Sequence, residues 1–470
     1  MPRVPRALIA LTALAAALRL PTLGSQSLWL DEVLTGELAR GHLGALFHRV
    51  AGQEANPPLF YVVEWLWTRL AGTSEVALRL PSALCGISLV PVAYGIGRRL
   101  ASERAGVALA ALVAVHPLLV YYSQEARGYA AVALACAVGF LYFLDAVEGR
   151  RGALGWAVAS AVALGCHYFA IFPVTIEAAI LLARRRRAAL PALAGVVVVG
   201  AGLLPLILEQ IGGGHSDNVT AGVGLAERAK GAATSWLVGE RGAAIDGLEW
   251  LVGALLVAGV VVLVVRGGAH RAILPAAVGG GGAALILLLA VAGADYLNNR
   301  NTIPVLAIVL AIPALGYALG RVGAALGVAA CAALLAATIG MLTDPAHARE
   351  DWRGAARALP ATPAVVVAPP FNATPMRWYA PGLRAVPAAT AREVAVVIPD
   401  PKRDPLAPGA LDTPPAPGFT PAGTQTRGRL LIARYRAPAP TPVPLEAVDA
   451  WVRARLGSAR GGAGGVLLSR

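Results

Sequence analysis

Residues 5–32 read PRALIALTALAAALRLPTLGSQSLWLDE and join an apolar run to a pair of adjacent acids. The apolar part, 5–23, follows basic residues and is long enough to cross a membrane. No small-residue cleavage site precedes the Trp-Asp-Glu stretch, so we predict a retained signal anchor. Asp31 and Glu32 stand where this helix ends, in a chain that is short of acids. A membrane anchor does not need such a pair, which indicates chemistry or binding instead.

The composition of the whole chain is that of a membrane protein. Of its 470 residues, 57% are hydrophobic and only 14% are charged, whereas soluble proteins carry about a quarter charged residues. We therefore predict a multi-pass α-helical membrane protein with roughly eleven spans. The predicted spans are 5–23, 76–97, 105–122, 128–147, 152–167, 169–183, 188–209, 247–265, 272–293, 302–320 and 322–342. The short pair 152–167 and 169–183 is expected to be kinked or partly re-entrant.

The charge of the chain follows the membrane pattern. Its formal net charge is +13, with 24 basic and 18 acidic residues up to residue 343 and 16 and 9 beyond it. In the first part the basic residues cluster at alternate span ends, which is the positive-inside pattern and sets topology. Those clusters are Arg3 and Arg6, Arg98, Arg99 and Arg104, Arg150 and Arg151, Arg184–Arg187, Arg266 and Arg271, and Arg321. Nucleic acid is not an expected partner.

The polar motifs of the first part converge on the opposite side of the membrane. With the N-terminus cytoplasmic, that side receives the following segments: Asp31-Glu32, Tyr121–Arg127, His167-Tyr168, the loop 210–246, and Asp295–Arg300. The positive-inside rule assigns them to this side without reference to their chemistry. We therefore expect the active face to be extracytoplasmic.

The first outer loop, 24–75, is predicted to carry the catalytic acids on short interfacial pieces. Glu37–Val50 has the pattern of an amphipathic helix, and Asn56-Pro57-Pro58 then breaks the chain. Leu59–Leu70 is rich in aromatic residues, which favour the headgroup zone of a membrane. This piece lies along the membrane surface or forms an additional span.

The segment 344–470 differs in composition from the membrane domain, 1–343. Short β-type runs at 364–368, 394–398 and 430–435, with a helix pattern at 351–359, predict a small α/β domain. The Pro- and Gly-rich connectors 399–426 and 437–444 are expected to be flexible. Residues 445–456 are expected to form an amphipathic helix before a disordered tail. An odd number of spans places this domain outside the cytoplasm.

Asp31 and Glu32 are the candidate catalytic residues. As a functional pair, one carboxylate accepts a proton from an acceptor hydroxyl while its neighbour orients a basic partner. Adjacent like charges raise the proton affinity of one member. The alternative is a solvated loop pair. Arg79 lies in the outer turn of the second span, where a lone arginine needs an anion; Glu32, a lipid phosphate, or snorkelling to the interface would satisfy it.

Further candidates for substrate contact lie at other span ends. Glu125 and Arg127 open the fourth span beside Tyr122 and Tyr129, as substrate contacts or as a helix cap. His167 and Tyr168 interrupt an apolar hairpin and are structural or substrate-facing. Arg300 opens the tenth span as a phosphate contact or a topological anchor. Four cysteines, without CxxC spacing, fall inside apolar segments and indicate neither a disulfide framework nor a zinc site.

These residue types suit the transfer of a sugar from a lipid-linked phosphate. Cations stabilise the charge that develops on the leaving phosphate, and one carboxylate activates the acceptor. In-line attack opposite the phosphate inverts the anomeric centre. The rival function is a transporter or lipid flippase, whose charges lie near the bilayer midplane, often in two repeated halves; the chain shows no repeat, and its charges lie at the outer border.

Several ordered motifs over residues 5–320 also resemble the GT-C membrane glycosyltransferases, and among them the branch of protein O-mannosyltransferases and aminoarabinose transferases. The matching motifs are Trp-x-Asp-Glu at 29–32, Asn-Pro-Pro-Leu-Phe-Tyr at 56–61, Glu-Val-Ala-Leu-Arg-Leu-Pro-Ser-Ala-Leu at 75–84, Tyr-Ser-Gln-Glu-Ala-Arg-Gly-Tyr at 122–129, His167-Tyr168, and Arg-Asn-Thr-Ile-Pro at 300–304. The resemblance implies an inverting transfer from a polyprenyl-phosphate-linked sugar on the outer face of the plasma membrane. The acceptor is a protein, a lipid or a glycan.

The resemblance also implies roles for single residues. Asp31 matches the family's base, Glu32 the second acid, and Arg79 the arginine that approaches that acid and the donor phosphate. Donor-phosphate contacts are expected from Arg79, Arg127 and Arg300, and substrate contacts from Glu125, Tyr122, Tyr129, His167 and Tyr168. The chain departs from the family at Arg300-Asn301, where an Arg-Tyr pair is usual. No cofactor is required, although Asp31, Glu125 and His167 could supply ligands to a divalent metal.

Overall fold

The computed structural model describes residues 5–212, 223–242, 244–293, 296–359, 364–399, 406–456 and 464–470. Asp295 and parts of the loop 210–246, of the connector 399–426 and of the tail lie outside the described residues. The chain forms two compact units. The membrane unit comprises residues up to Leu23 together with Leu38–Thr343, and the C-terminal unit comprises Gly24–Glu37 together with Asp344–Arg470. The predicted acid pair therefore belongs to the C-terminal unit.

Helices account for nearly all regular structure up to residue 343. They are α1 Arg6–Arg19, α2 Leu30–Arg40, α3 Leu43–Gln53, α4 Leu59–Ala71, α5 Glu75–Leu100, α6 Glu103–Val115, α7 Pro117–Ser123, α8 Tyr129–Val147, α9 Ala153–Cys166, α10 Ile171–Gly212, α11 Leu225–Val238, α12 Leu248–Val265, α13 Ile273–Pro275, α14 Gly281–Val291, α15 Ile303–Val309, α16 Ala311–Tyr317 and α17 Gly320–Thr343. A π-helical turn, Ala276–Gly280, joins α13 to α14.

Within the described residues, seven helical segments are long and apolar enough to cross a membrane, or eight with the bent pair α6–α7 counted as one span. The multi-pass prediction is confirmed, and the count of eleven is not. Two predicted spans are only short helices, α1 and α9, with 14 residues each. The predicted spans 169–183 and 188–209 merge into α10, which breaks at Arg185, where φ is −132°.

The bend between α6 and α7 places polar groups at a span end. Pro117 lacks an N–H group and so cannot continue the hydrogen bonding of α6. The axes of α6 and α7 differ by 59°. The short helix α7 then carries Tyr121 and Tyr122, and a loop with Glu125 and Arg127 leads to α8. A local backbone break therefore positions several candidate residues.

The prediction of one amphipathic helix over Glu37–Val50 is wrong. Helix α2 ends at Arg40, and α3 begins at Leu43 because His42 caps it: the Ala45 N–H donates to His42 Nδ1 at 3.1 Å. The aromatic piece forms α4 as one helix of 13 residues. A span needs about 20 residues, so α4 is too short to be the additional span considered above.

The end of the chain forms a six-stranded sheet in the order β2-β6-β1-β3-β5-β4. Its elements are α18 Trp352–Arg357, β1 Ala364–Val367, α19 Ala373–Tyr379, β2 Arg384–Ala385, β3 Ala388–Pro399, β4 Thr420–Arg427, β5 Leu430–Pro444, α20 Leu445–Leu456 and β6 Val466–Ser469. Strands β1 and β3 are parallel, and the other pairings are antiparallel. The predicted small α/β domain is confirmed.

Alternating side chains give the sheet two buried faces. Val366 and Val396 pack with Val448 and Trp451 of α20 on one face. Val365, on the other face, packs with Trp352 and Met376 of α18 and α19. The sheet is therefore the middle layer between helices.

Two expectations for this unit are wrong. Residues 420–426 and 437–444, predicted as parts of flexible connectors, belong to β4 and β5, which pair with each other. Val466–Ser469, in the predicted disordered tail, forms β6 between β1 and β2. The strands that pair with β6 lie far away in sequence, so local composition does not reveal it.

Candidate functional site

The acid pair occupies the first turn of α2. The Trp29 N–H donates to Glu32 Oε2 at 3.3 Å, so Glu32 caps the helix from its third position. The positive end of the helix dipole also favours carboxylates there. Glu32 is fully buried, whereas Asp31 is half-buried. The two adjacent acids therefore have different environments.

Glu32 forms a buried ion pair with Arg349. Arg349 NH1 lies 2.9 Å from Glu32 Oε2, and their side chains are 5% and 0% exposed. The Arg349 guanidinium also lies 5.9 Å from the centre of the Trp29 ring. From the sequence, Arg79 was the only predicted partner for the acid pair. Arg349 was missed because it lies more than 300 residues further along the chain, in another domain of the sequence.

Arg79 is buried in the membrane unit. It is 2% exposed, and its NH1 donates to the carbonyl of Leu23 at 2.7 Å. This carbonyl lies just beyond α1, so Arg79 ties the start of α5 to the end of the first apolar segment. Snorkelling to an exposed edge does not describe this side chain. Its contact with a donor phosphate stays a prediction.

A second buried ion pair joins Arg127 to Glu54. Arg127 NH1 and NH2 donate to Glu54 Oε1 and Oε2, each at 3.0 Å, and Tyr61 Oη donates to Oε2 at 2.7 Å. The Arg127 guanidinium lies 5.5 Å from the centre of the Tyr61 ring. Glu54 was not among the residues predicted from the sequence. The sequence did offer one signal for Glu54: it is an acid just before the Asn-Pro-Pro break, in a loop of low polarity.

Aromatic side chains form a continuous row beside this pair. Tyr121, Tyr122, Tyr129 and His167 follow one another with ring centres 5.1, 4.8 and 5.4 Å apart. The structure therefore brings together Tyr122, Tyr129 and His167, three of the predicted substrate contacts. Arg300 lies in a short 3₁₀ turn, Asn299–Thr302, before α15, and its contact with a donor phosphate stays a prediction.

Glu240 is a further acid at this row, and the sequence analysis missed it. Tyr122 Oη donates to Glu240 Oε2 at 2.9 Å. Burial raises the pKa of Glu240, while hydrogen bonds from Tyr122 and Asn299 and the charge of Arg300 act in the opposite direction. The acid lies on the loop between α11 and α12, which the spacing of motifs gave no reason to single out.

Tyr168 and Glu125 are the other two candidate substrate contacts. Tyr168 Oη donates to Gln210 Oε1 at 2.8 Å, and Gln210 Nε2 donates to the carbonyls of Val50 and Asn56 at 3.0 and 3.2 Å. Tyr168 thus connects the start of α10 to its far end. Glu125 is 1% exposed. The substrate roles of both residues stay predictions.

Buried Arg19 and half-buried Gln124 hold the bend that carries the tyrosines. Arg19 NH1 and NH2 donate to the carbonyls of Ala114 and Val113 at 2.9 and 3.3 Å, and Nε donates to Ser123 Oγ at 3.2 Å. Gln124 Nε2 donates in return to the carbonyl of Arg19 at 3.0 Å, at the end of α1. Each side chain therefore satisfies carbonyls that a helix end leaves open.

The metal option finds no support in the geometry. In the part of the chain that the structure describes, no three or more His, Cys, Asp or Glu side chains form a group that could hold a metal ion.

Residues 55–208 match the family model described as dolichyl-phosphate-mannose-protein mannosyltransferase. The fold of the chain is similar to that of ArnT from Cupriavidus metallidurans in the apo state, with a TM-score of 0.55 at 14% identity over 91% of this chain and 97% of that one. The resemblance to GT-C membrane glycosyltransferases is confirmed. The family match begins just after Glu54 and includes Arg127 and all four residues of the aromatic row. It includes no residue of the C-terminal unit.

Two further solved structures also match the chain. ArnT from the same organism, bound to undecaprenyl phosphate, gives a TM-score of 0.52 at 14% identity, over 91% of this chain and 97% of that one. The apo oligosaccharyltransferase of Archaeoglobus fulgidus gives a TM-score of 0.44 at 13% identity, over 76% of this chain and 58% of that one. No curated protein sequence matches the chain.

Proposed function

We propose that the protein is a membrane glycosyltransferase that moves a sugar from a polyprenyl-phosphate-linked donor to an acceptor hydroxyl. The family match over residues 55–208 supports a glycosyltransferase. A protein of similar fold has been solved with undecaprenyl phosphate bound, which supports a polyprenyl carrier. The positive-inside charge pattern supports a reaction on the outer face of the plasma membrane.

The different environments of the two adjacent acids carry this proposal. Glu32 is fully buried, and its Oε2 accepts from the Trp29 N–H and pairs with Arg349. Asp31 is half-buried, so part of its side chain is accessible. A general base must reach the hydroxyl whose proton it takes. Asp31 meets that requirement and Glu32 does not.

In the proposed reaction the acceptor oxygen attacks the anomeric carbon as the bond from that carbon to the phosphate oxygen breaks. The electron pair of the broken bond stays on the polyprenyl phosphate, and the hydroxyl proton passes to Asp31. Attack opposite the leaving group inverts the anomeric centre. Fixed cations stabilise the negative charge of the leaving phosphate, and we assign this role to Arg79 and Arg300.

The proposed substrate wall is the aromatic row with its neighbouring acids. Tyr122, Tyr129 and His167 offer ring faces and polar edges to a sugar, and Glu125 and Tyr168 complete the set. Arg127, predicted as a phosphate contact, has both terminal nitrogens on Glu54. We therefore assign Arg127 to the support of this wall, through its bonds to Glu54 and its position over the Tyr61 ring.

The test uses purified protein in lipid nanodiscs and a labelled polyprenyl-phosphate sugar. Asp31→Asn should lower the rate of polyprenyl-phosphate release by about 10²–10⁴-fold, the usual contribution of a general base. Glu446→Gln, at an exposed acid of α20, should leave the rate unchanged. Retention of most activity by Asp31→Asn contradicts the base assignment. Movement of intact donor across the membrane, without release of polyprenyl phosphate, would favour a transporter.

A further inference from the structure

The position of the acid pair is fixed by its own helix and also by a continuous set of hydrogen bonds and an ion pair within the C-terminal unit. The contacts start at the turn between β4 and β5. There Gly428 forms an isolated bridge with Glu350. Gly428 has a φ of +54°, and a Cβ atom on it would lie 2.9 Å from the carbonyl oxygen of Arg349. A glycine is therefore required for segment 349–353 to lie this close to the sheet.

Segment 349–353 in turn forms hydrogen bonds with the residues that precede α2. Ser27 Oγ donates to the carbonyl of Glu350 at 2.6 Å and accepts from the Trp352 N–H at 3.0 Å. The Arg349 N–H donates to Gln26 Oε1 at 2.9 Å. Trp352 is 1% exposed and packs under the sheet. These hydrogen bonds are thus fixed to the core of the unit through Trp352.

Two further contacts hold the same stretch from either side. The Leu28 N–H donates to Tyr379 Oη, at the end of α19, at 2.7 Å. Arg353 NH2 donates to the carbonyl of Ser25 at 3.0 Å. Each residue from Ser25 to Leu28 is therefore bonded to a residue beyond 348. The Arg349–Glu32 ion pair then fixes the first turn of α2 itself.

We propose that the C-terminal domain is a built-in part of the catalytic apparatus, in which Arg349 is a positioning residue that holds the first turn of α2 and thereby orients Asp31. The inference rests on the proposed function of Asp31 as the base. It assigns a role to a domain that lies outside the family match. Misplacement of a reacting group by about 1 Å can cost about 10²-fold in rate. Loss of the ion pair should therefore affect turnover more than donor binding.

The experiment measures kcat and the donor KM of full-length variants in nanodiscs. Arg349→Met removes the charge and keeps much of the side-chain volume; kcat should fall about 10²-fold while the donor KM stays within about threefold. Arg349→Lys keeps the charge and should recover much of the lost kcat. Arg377→Met, at an exposed arginine of α19, is the matched control and should behave as the parent protein.

The outcomes separate the inference from the proposed function. If Asp31→Asn is inactive but Arg349→Met has the kcat of the parent, the positioning role is wrong and the base assignment stands. If Asp31→Asn is active, the proposed function itself is wrong. An Arg349→Met variant that loses both kcat and donor binding, with no recovery in Arg349→Lys, also contradicts positioning.

A second variant covers the case in which Arg349→Met makes the C-terminal domain sensitive to proteolysis. Tyr379→Phe removes only the hydroxyl that accepts from Leu28 and keeps the ring. A lost hydrogen bond of this kind corresponds to about a fivefold change in an equilibrium or rate. A kcat reduced about fivefold at unchanged donor KM supports the inference, and an unchanged kcat overturns it.

Discussion

Replacing Glu54 by alanine will leave the Arg127 guanidinium buried without its carboxylate, and we expect this change to be among the most destabilising single substitutions in the membrane unit. The two side chains are each 6% exposed, and the closest pair of atoms is 3.0 Å apart. Two charge-assisted bonds and the Tyr61 hydroxyl bond are lost together. Removing one partner of a buried pair costs about 3–5 kcal/mol, largely because the other charge stays buried.

A double-mutant cycle gives the decisive measurement. Glu54→Ala and Arg127→Ala should each lower the free energy of unfolding by about 3–5 kcal/mol, and the double variant by little more than either one. The coupling energy is then about 3 kcal/mol. It can be measured by denaturant titration of the purified protein in mixed micelles, with tryptophan fluorescence as the signal.

An exposed ion pair of the same unit supplies the control. Arg99 and Asp145 are also in contact, but the Arg99 side chain is 32% exposed. Arg99→Ala should cost less than about 1 kcal/mol, as surface pairs do. A coupling energy below about 1 kcal/mol for Glu54 and Arg127 would refute the view that their pair is a principal support of the aromatic row.

Two other substitutions test the packing and the topology. Gly86→Ala places a Cβ atom 1.9 Å from Ser123 Oγ and 2.7 Å from its Cβ, so it should cost about 1–3 kcal/mol of unfolding free energy in the same titration. Gly195→Ala, with no neighbouring atom within 4 Å, should not destabilise the protein. Equal effects of the two substitutions would contradict the close packing at Gly86. In a variant without the native cysteines, Phe371→Cys, at a side chain 57% exposed, should react with a membrane-impermeant maleimide on intact cells. Arg186→Cys, in the basic cluster predicted to be cytoplasmic, should react only after lysis, and the reverse result contradicts the predicted orientation.

The sequence alone predicted the elements whose local pattern carries a strong physical signal. Long apolar runs have few alternatives to membrane helices, because a buried backbone must satisfy its own hydrogen bonds. The runs at 364–368, 394–398 and 430–435 became parts of β1, β3 and β5, and 445–456 became α20. Tyr122, Tyr129 and His167, predicted to lie on one side of the membrane, have neighbouring rings in the structure.

The partners of the buried charges were decided by tertiary structure. Glu54 and Arg127 are separated by 73 residues, and Tyr122 and Glu240 by 118. Glu32 and Arg349 lie in different domains of the sequence, yet they form one ion pair. Strand β6 is recognisable only through β1 and β2, with which it pairs. A helix forms its hydrogen bonds between neighbouring residues, so the local sequence is enough to predict it. A strand or a buried charge is satisfied by groups from distant parts of the chain, and only the folded structure brings those groups within reach.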